Sequence, residues 1–162
     1  MKIGLISDTH DHVPHIKKSL ELFKKHNAEL ILHAGDFCSP FTIPEFAGFK
    51  MRGVFGNNDG DHFRLLMKAE EAGIELEAEL LVLESGGRNI VVYHGTREEI
   101  TEALVMCGKY DLVVSGHTHQ AHVTNSGNTL WVNPGSANGF GEDATVALYD
   151  TDTGEAEILR VG

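Results

Sequence analysis

Asp8 and His10 stand one residue apart at the end of a short apolar run, Ile3, Leu5 and Ile6. A carboxylate and an imidazole so close in sequence can grip one metal ion. The same chemistry recurs down the chain. Asp36 follows Leu30-Ile31-Leu32, and Asn57 follows Met51 to Phe55. His94 follows Ile90 to Tyr93, and His117 with His119 follow Asp111 to Val114. Strands buried on both faces read as short continuous apolar runs, and ligands of an α/β sheet gather at the carboxyl ends of its strands. Four imidazoles with Asp8, Asp36 and Asn57 exceed what one tetrahedral zinc needs. They suit two metals about 3.5–4 Å apart sharing a carboxylate. The mixture of nitrogen and oxygen donors favours manganese, iron, nickel, cobalt or zinc over calcium or an all-oxygen magnesium site. Extended D-x-H and H-x-H segments would turn both side chains to one side. Gly35, Gly56, Gly95, Gly116 and Gly135 would let the backbone run close to the ions.

The elements that must position these residues are legible from periodicity. Val13, Ile16, Leu20 and Phe23 are spaced for one face of a helix ending near His26, with Pro14 in its first turn. The β-helix-β beginning predicts a right-handed crossover into a parallel pair. Ser39-Pro40 opens a short helical segment ended by Gly48. A second amphipathic helix, with Phe63, Leu66 and Met67 inward, closes at Gly73. Strands follow from Ile74 to Ala78, Leu80 to Leu83 and Ile90 to Tyr93. Thr96 with Glu99 reads as a capping box for a helix reaching Met106. Thr129 to Val132 ends in Asn133-Pro134-Gly135-Ser136, and Ala144 to Tyr149 pairs with Ala156 to Val161 as a closing hairpin. Without a repeat or linker, residues 1–162 read as a single domain.

The net charge of −11 argues against a basic nucleic-acid footprint or an anionic membrane as the main partner. No apolar run approaches the roughly 18 residues of a membrane span. Asp8 and His10 interrupt the first apolar run too early for a signal peptide. Cys38 and Cys107 form no CxxC motif and read as free thiols of a cytoplasmic protein.

In order, the chain carries D-x-H, G-D, G-N-x-D, H-G, G-H-x-H and N-P-G-S across about 130 residues. This series resembles the calcineurin-like metallophosphoesterases, in particular the small phosphodiesterase branch that also includes the retromer scaffold subunit. The resemblance implies an α/β fold, a sandwich of two sheets flanked by helices, with a dinuclear centre at the strand ends. One metal would take Asp8, His10, Asp36 and His119. The other would take Asp36, Asn57, His94 and His117, with Asp36 bridging. Manganese or nickel stand foremost as the two ions, with cobalt, iron and zinc also suitable. The implied activity is hydrolysis of a small phosphodiester by a bridging hydroxide. The alternatives are a phosphomonoesterase on the same site or a non-catalytic metal-binding scaffold. Nucleic acid is not expected as a stable partner, no membrane association is expected, and a homo-oligomer stays open.

Asn58 departs from the commoner G-N-H-[DE] pattern, whose histidine is thought to protonate the leaving group. An amide can donate a hydrogen bond there but cannot act as a general acid near neutral pH. Asp36 and Asn58 are therefore the catalytic candidates. Plainer roles are expected elsewhere. His15, His26 and His62 read as exposed helix positions and His12 as a loop or helix-start residue. His33 and His122 divide between orienting a ligand and simple packing. Asp11 would cap the first helix or hold a ligand histidine, and Asn133 and Ser136 divide between a turn and the substrate. Phe37, Phe41 and Phe140 read as core first and pocket wall second.

Overall fold

Alternation decides which way each strand faces. In β1 (Lys2–Ile6), Ile3 and Leu5 enter one apolar cluster and Ile6 another. Gly4 shares the Ile6 side, where an added Cβ would lie 2.7 Å from the ring of Phe23. The structure, a computed structural model, describes residues 1–139 and 143–162, so Phe140 lies outside the described residues.

β1 is an inner strand of a six-stranded mixed sheet. β2 (Leu30–His33), β3 (Met51–Val54) and β4 (Glu75–Glu77) follow it in parallel on one side. On the other side β10 (Thr145–Asp150) runs antiparallel, with Ile3 opposite Tyr149, and carries β11 (Glu155–Arg160). The second sheet has the order β5-β6-β7-β9-β8, from β5 (Leu80–Ser85), β6 (Arg88–Tyr93), β7 (Leu112–Val114), β9 (Thr129–Asn133) and β8 (His122–Ser126). β6, β7 and β9 are parallel, and both edge strands are antiparallel to their neighbours.

The sheets meet face to face through Ile3, Leu5, Leu32, Val92, Val114, Val132 and Tyr149. Each such side chain contributes about 1.5–3 kcal/mol of burial. The outer face of the first sheet is covered by α1 (Val13–Lys25), a 3-10 segment (Pro40–Phe46) and α2 (His62–Ala72). α3 (Glu98–Met106) covers the second. This is the two-sheet α/β sandwich expected.

Three local expectations fail. α2 buries Leu65 and Ala69, while Phe63, Leu66 and Met67 are exposed. Residues 63, 66 and 67 form one helical stripe and 65, 69 and 72 another. The choice falls to the narrower stripe, whose smaller side chains let the helix lie close to the first sheet. α3 starts one residue later than a cap at Thr96 requires: Arg97 is its N-cap without a side-chain cap bond, and the Tyr93 hydroxyl accepts from the Arg97 amide at 3.1 Å. β8 was not foreseen, because as an edge strand with mostly exposed residues it lacks an apolar stripe.

Candidate metal centre

At the carboxyl ends of β1, β2, β3, β6 and β7 the backbone does not stay extended. Asp8, His10, Asp36, His117 and His119 all have positive φ, between 40° and 66°. The shared direction of D-x-H and H-x-H thus comes from left-handed turns, a correction to the extended reading. Asp, Asn and His tolerate this region better than other non-glycine residues, yet each such residue still costs of order 1–3 kcal/mol. Crossed hydrogen bonds hold the turns. The Asp8 amide donates to Gly35 O at 3.0 Å, His10 to Asp36 O at 3.1 Å and Gly116 to His94 O at 2.8 Å. Gly116 must be glycine, since a Cβ there would overlap the Ser7 hydroxyl and lie 2.6 Å from Asp8 Oδ2.

Two buried carboxylates form the centre. Asp8 Oδ2 accepts from the Ser7 hydroxyl at 2.5 Å and from the His117 amide at 3.1 Å. Asp8 Oδ1 has no hydrogen-bond donor among the described residues and faces Nε2 of His119 at 3.2 Å and of His10 at 3.7 Å. Asp36 accepts two bonds from Asn58, amide to Oδ1 at 2.9 Å and Nδ2 to Oδ2 at 2.7 Å. Its Oδ2 also lies 3.5 Å from His10 Nε2 and 3.4 Å from His94 Nε2. His94 Nδ1 meets the Ala34 carbonyl at 2.7 Å, which fixes the proton on Nδ1. The lone pair of Nε2 then points at Asp36 Oδ2 and at Asn57 Oδ1, 3.0 Å away. Acceptors converging in this way need a cation or an extra proton between them.

The electrostatics follow from the same contacts. Burial opposes ionisation of Asp36, but the neighbouring His94 imidazole and the hydrogen bonds from Asn58 hold its carboxyl well below the usual range. Burial likewise works against Asp8, and the adjacent His10 imidazole with the Ser7 hydrogen bond wins. For His10 the adjacent Asp8 carboxylate raises the imidazole; for His94 burial is overcome by Asp36.

The ligand-type atoms group into two triads, each within 4.8 Å: Asp8, His10 and His119, and Asp8, Asp36 and His94. Asn57 lies beside the second through His94. His117 is exposed and stays outside both, its ring 5.2 Å from that of His94. The donor set, imidazole with carboxylate around an unsatisfied buried oxygen, fits divalent transition metals.

The structure also reveals a supporting residue missed in the sequence and settles the surroundings of others. Asp59 is buried, accepting from the Asp36 and Gly56 amides at 2.9 and 2.7 Å and from Cys38 at 2.7 Å. Its place in G-N-x-D was the available signal. His33 is fully buried, stacked on Phe37 at 3.7 Å, receiving the Gly35 amide at Nδ1 and meeting Thr9 at Nε2. Burial pushes it down to about 3. Asp11 neither caps α1 nor holds a histidine; it accepts from Ser39 at 2.8 and 2.5 Å, while His12 is the N-cap. His15 is half-buried against the Ala137 and Asn138 carbonyls at 3.1 and 3.0 Å. Asn133 is buried and ties Gly116 O and Thr118, and Ser136 donates to Asp8 O at 3.1 Å. Phe37 is core, as expected, but Phe41 is exposed.

Residues 1–154 match the calcineurin-like phosphoesterase superfamily domain. The chain belongs to the calcineurin-like phosphoesterase superfamily. A phosphodiesterase of Methanocaldococcus jannaschii is 34% identical over 159 residues, covering 96% of each chain. A solved structure of an archaeal phosphodiesterase superposes with a TM-score of 0.93 at 32% identity, covering 99% of both chains. Vacuolar protein sorting 29 of Cryptosporidium parvum, at 20% identity, TM-score 0.66 and coverage of 98% and 95%, shares the fold alone. By family, fold and ligand-competent cluster this superfamily member is a metal-dependent phosphoesterase.

Proposed function

We propose that this phosphoesterase hydrolyses small phosphodiesters at a dinuclear divalent-metal centre. The observation that carries the reading is the pair of buried carboxylate oxygens, Asp8 Oδ1 and Asp36 Oδ2, facing three imidazole Nε2 atoms at 3.2–3.7 Å. Asp8, His10, Asp36 and His119 would hold one ion; Asp36, Asn57, His94 and His117 would hold the other. Asp36 Oδ2 between His10 and His94 supports the bridging role. Manganese or nickel are the favoured ions, with cobalt, iron or zinc also accommodated.

When bound, such ions supply Lewis-acid charge neutralisation and lower the pKa of water toward 7. The chain's own residues do the rest. Asp36 and Asp8 are kept ionised by His94, His10, Ser7 and Asn58. Asn58 clamps Asp36 through both its amides, and this departs from a role as leaving-group acid, so good leaving groups are favoured. Asn133 and Ser136 lock the loops bearing His117 and Asp8. The reading takes residues 1–162 as one catalytic unit without nucleic acid as a stable partner and leaves self-association open. Among the described residues no helix is long and apolar enough to cross a membrane. The free thiols Cys38 and Cys107 agree with a cytoplasmic setting.

The test is turnover of bis(p-nitrophenyl) phosphate against p-nitrophenyl phosphate by metal-stripped protein titrated with each ion. Diester turnover that saturates at two ions per chain is expected. Preference for the monoester would overturn the diesterase reading, and tight metal uptake without turnover would turn this chain into a scaffold.

A further inference from the structure

β8 and β9 carry an aromatic wall that the phosphoryl chemistry leaves unused. Leu130 and Val132 of β9 point between the sheets, so Trp131 points outward toward α3. α3 covers only part of that face. Beyond it lies a cavity of about 510 Å³ whose walls include His117, Thr96, Glu98, Gln120, His122 and Trp131. The cavity thus begins at the proposed metal centre, through His117, and extends to the aromatic pair. The His122 and Trp131 rings pack edge to face with centroids 4.5 Å apart. Trp131 Nε1 donates to the Ser115 hydroxyl at 2.8 Å, which fixes the indole plane. Burial lowers the His122 imidazole, so the ring is neutral at neutral pH.

Charge narrows the occupant. Glu98 is the one carboxylate among the lining residues, and no lysine or arginine joins it. An arm bearing further phosphates would meet an anion with no countercharge, whereas a neutral planar ring meets aromatic and hydroxyl groups. Ring-on-aromatic contact suits any base or aryl group, because each has a π face.

Resting on the diesterase reading, we infer that the cleft of His122 and Trp131 binds the non-leaving ester arm of the substrate, a neutral planar aromatic or nucleoside group. His122 and Trp131 are specificity residues rather than catalytic ones.

Three diesters with the same p-nitrophenolate leaving group test this: the methyl, phenyl and thymidine 5′ esters. The phenyl and thymidine esters are expected to have kcat/KM about tenfold above the methyl ester, through lower KM, as one stacking contact provides. His122→Ala and, separately, Trp131→Leu are expected to collapse that ratio. A flat series for the natural chain, or a preference kept by both variants, overturns the proposal. Trp131 is the single tryptophan of the chain, so its emission reads occupancy without turnover. Titration with thymidine 5′-(methyl phosphate) is expected to change it saturably, and about tenfold more weakly in His122→Ala. Absence of that response overturns the cleft, while its presence in a chain that turns over no diester overturns only the catalytic reading.

Discussion

The two sheets contribute unlike halves to one centre. The first brings the carboxylates, Asp8 and Asp36, both buried and each held by several donors. The second brings His94 and His119, with His117 as a further proposed ligand. His94 is buried and fixed at Nδ1, but His117 is exposed. An anion inside a protein must be pinned and neutralised, whereas an imidazole costs little to leave exposed to water until an ion arrives. One half of the site is therefore a rigid anionic cradle, and the other a more open set of imidazoles.

The comparison can be broken most severely through the cradle. Asp36→Ala should abolish metal retention, read by metal analysis after gel filtration, and lower kcat by about 10³-fold or more. His117→Ala should cost less, about 10–100-fold in metal affinity. Its metal-free melting temperature should stay unchanged, since the residue is exposed; a large drop would show that the open half is as structural as the cradle. Asp59→Asn keeps the shape but weakens the acceptor that ties Asp36 to the β3 loop. Metal affinity should fall about tenfold by isothermal titration.

His33 sharpens the contrast by pH. It is neutral in the folded chain, with its value pushed to about 3, while an unfolded histidine titrates near 6.5. Below about 6.5 the unfolded chain takes up a proton that the folded chain does not. His33 by itself lowers the stability of the metal-free protein as pH drops, by up to about 1.4 kcal/mol per unit, against the opposite contribution of His10 and His94. His33→Gln should remove its contribution to the slope in urea titrations. The smallest effect is expected of Asn58→Ala. It removes the Nδ2 bond to Asp36 and keeps the backbone one, for a loss of turnover of about fivefold to tenfold.

Much of this was legible in the sequence, for a physical reason. The buried strands and the Asp, Asn and His residues ending them form a local pattern, so the strands and the clustering of ligands at one edge could be read from spacing, while the two-sheet sandwich followed from the resemblance of the motif series. What could not be read depends on partners distant in sequence. Leu65 rather than Leu66 faces the core of α2 because of how that helix seats on the first sheet. Asn58 turns to Asp36, and Asp11 to Ser39, because left-handed turns bring them there. Alternation rules for extended chain do not reach such positions.

The inner position of β1 has a consequence for the order of assembly. The seven ligand-type residues lie between residues 8 and 119, but the antiparallel neighbour of β1 is Thr145–Asp150. During synthesis every residue proposed to hold metal is made before the strand that closes the β1 edge. That edge, apolar and unpaired, is a template for pairing with another chain. Early metal capture would hold the cradle in register while the last hairpin arrives.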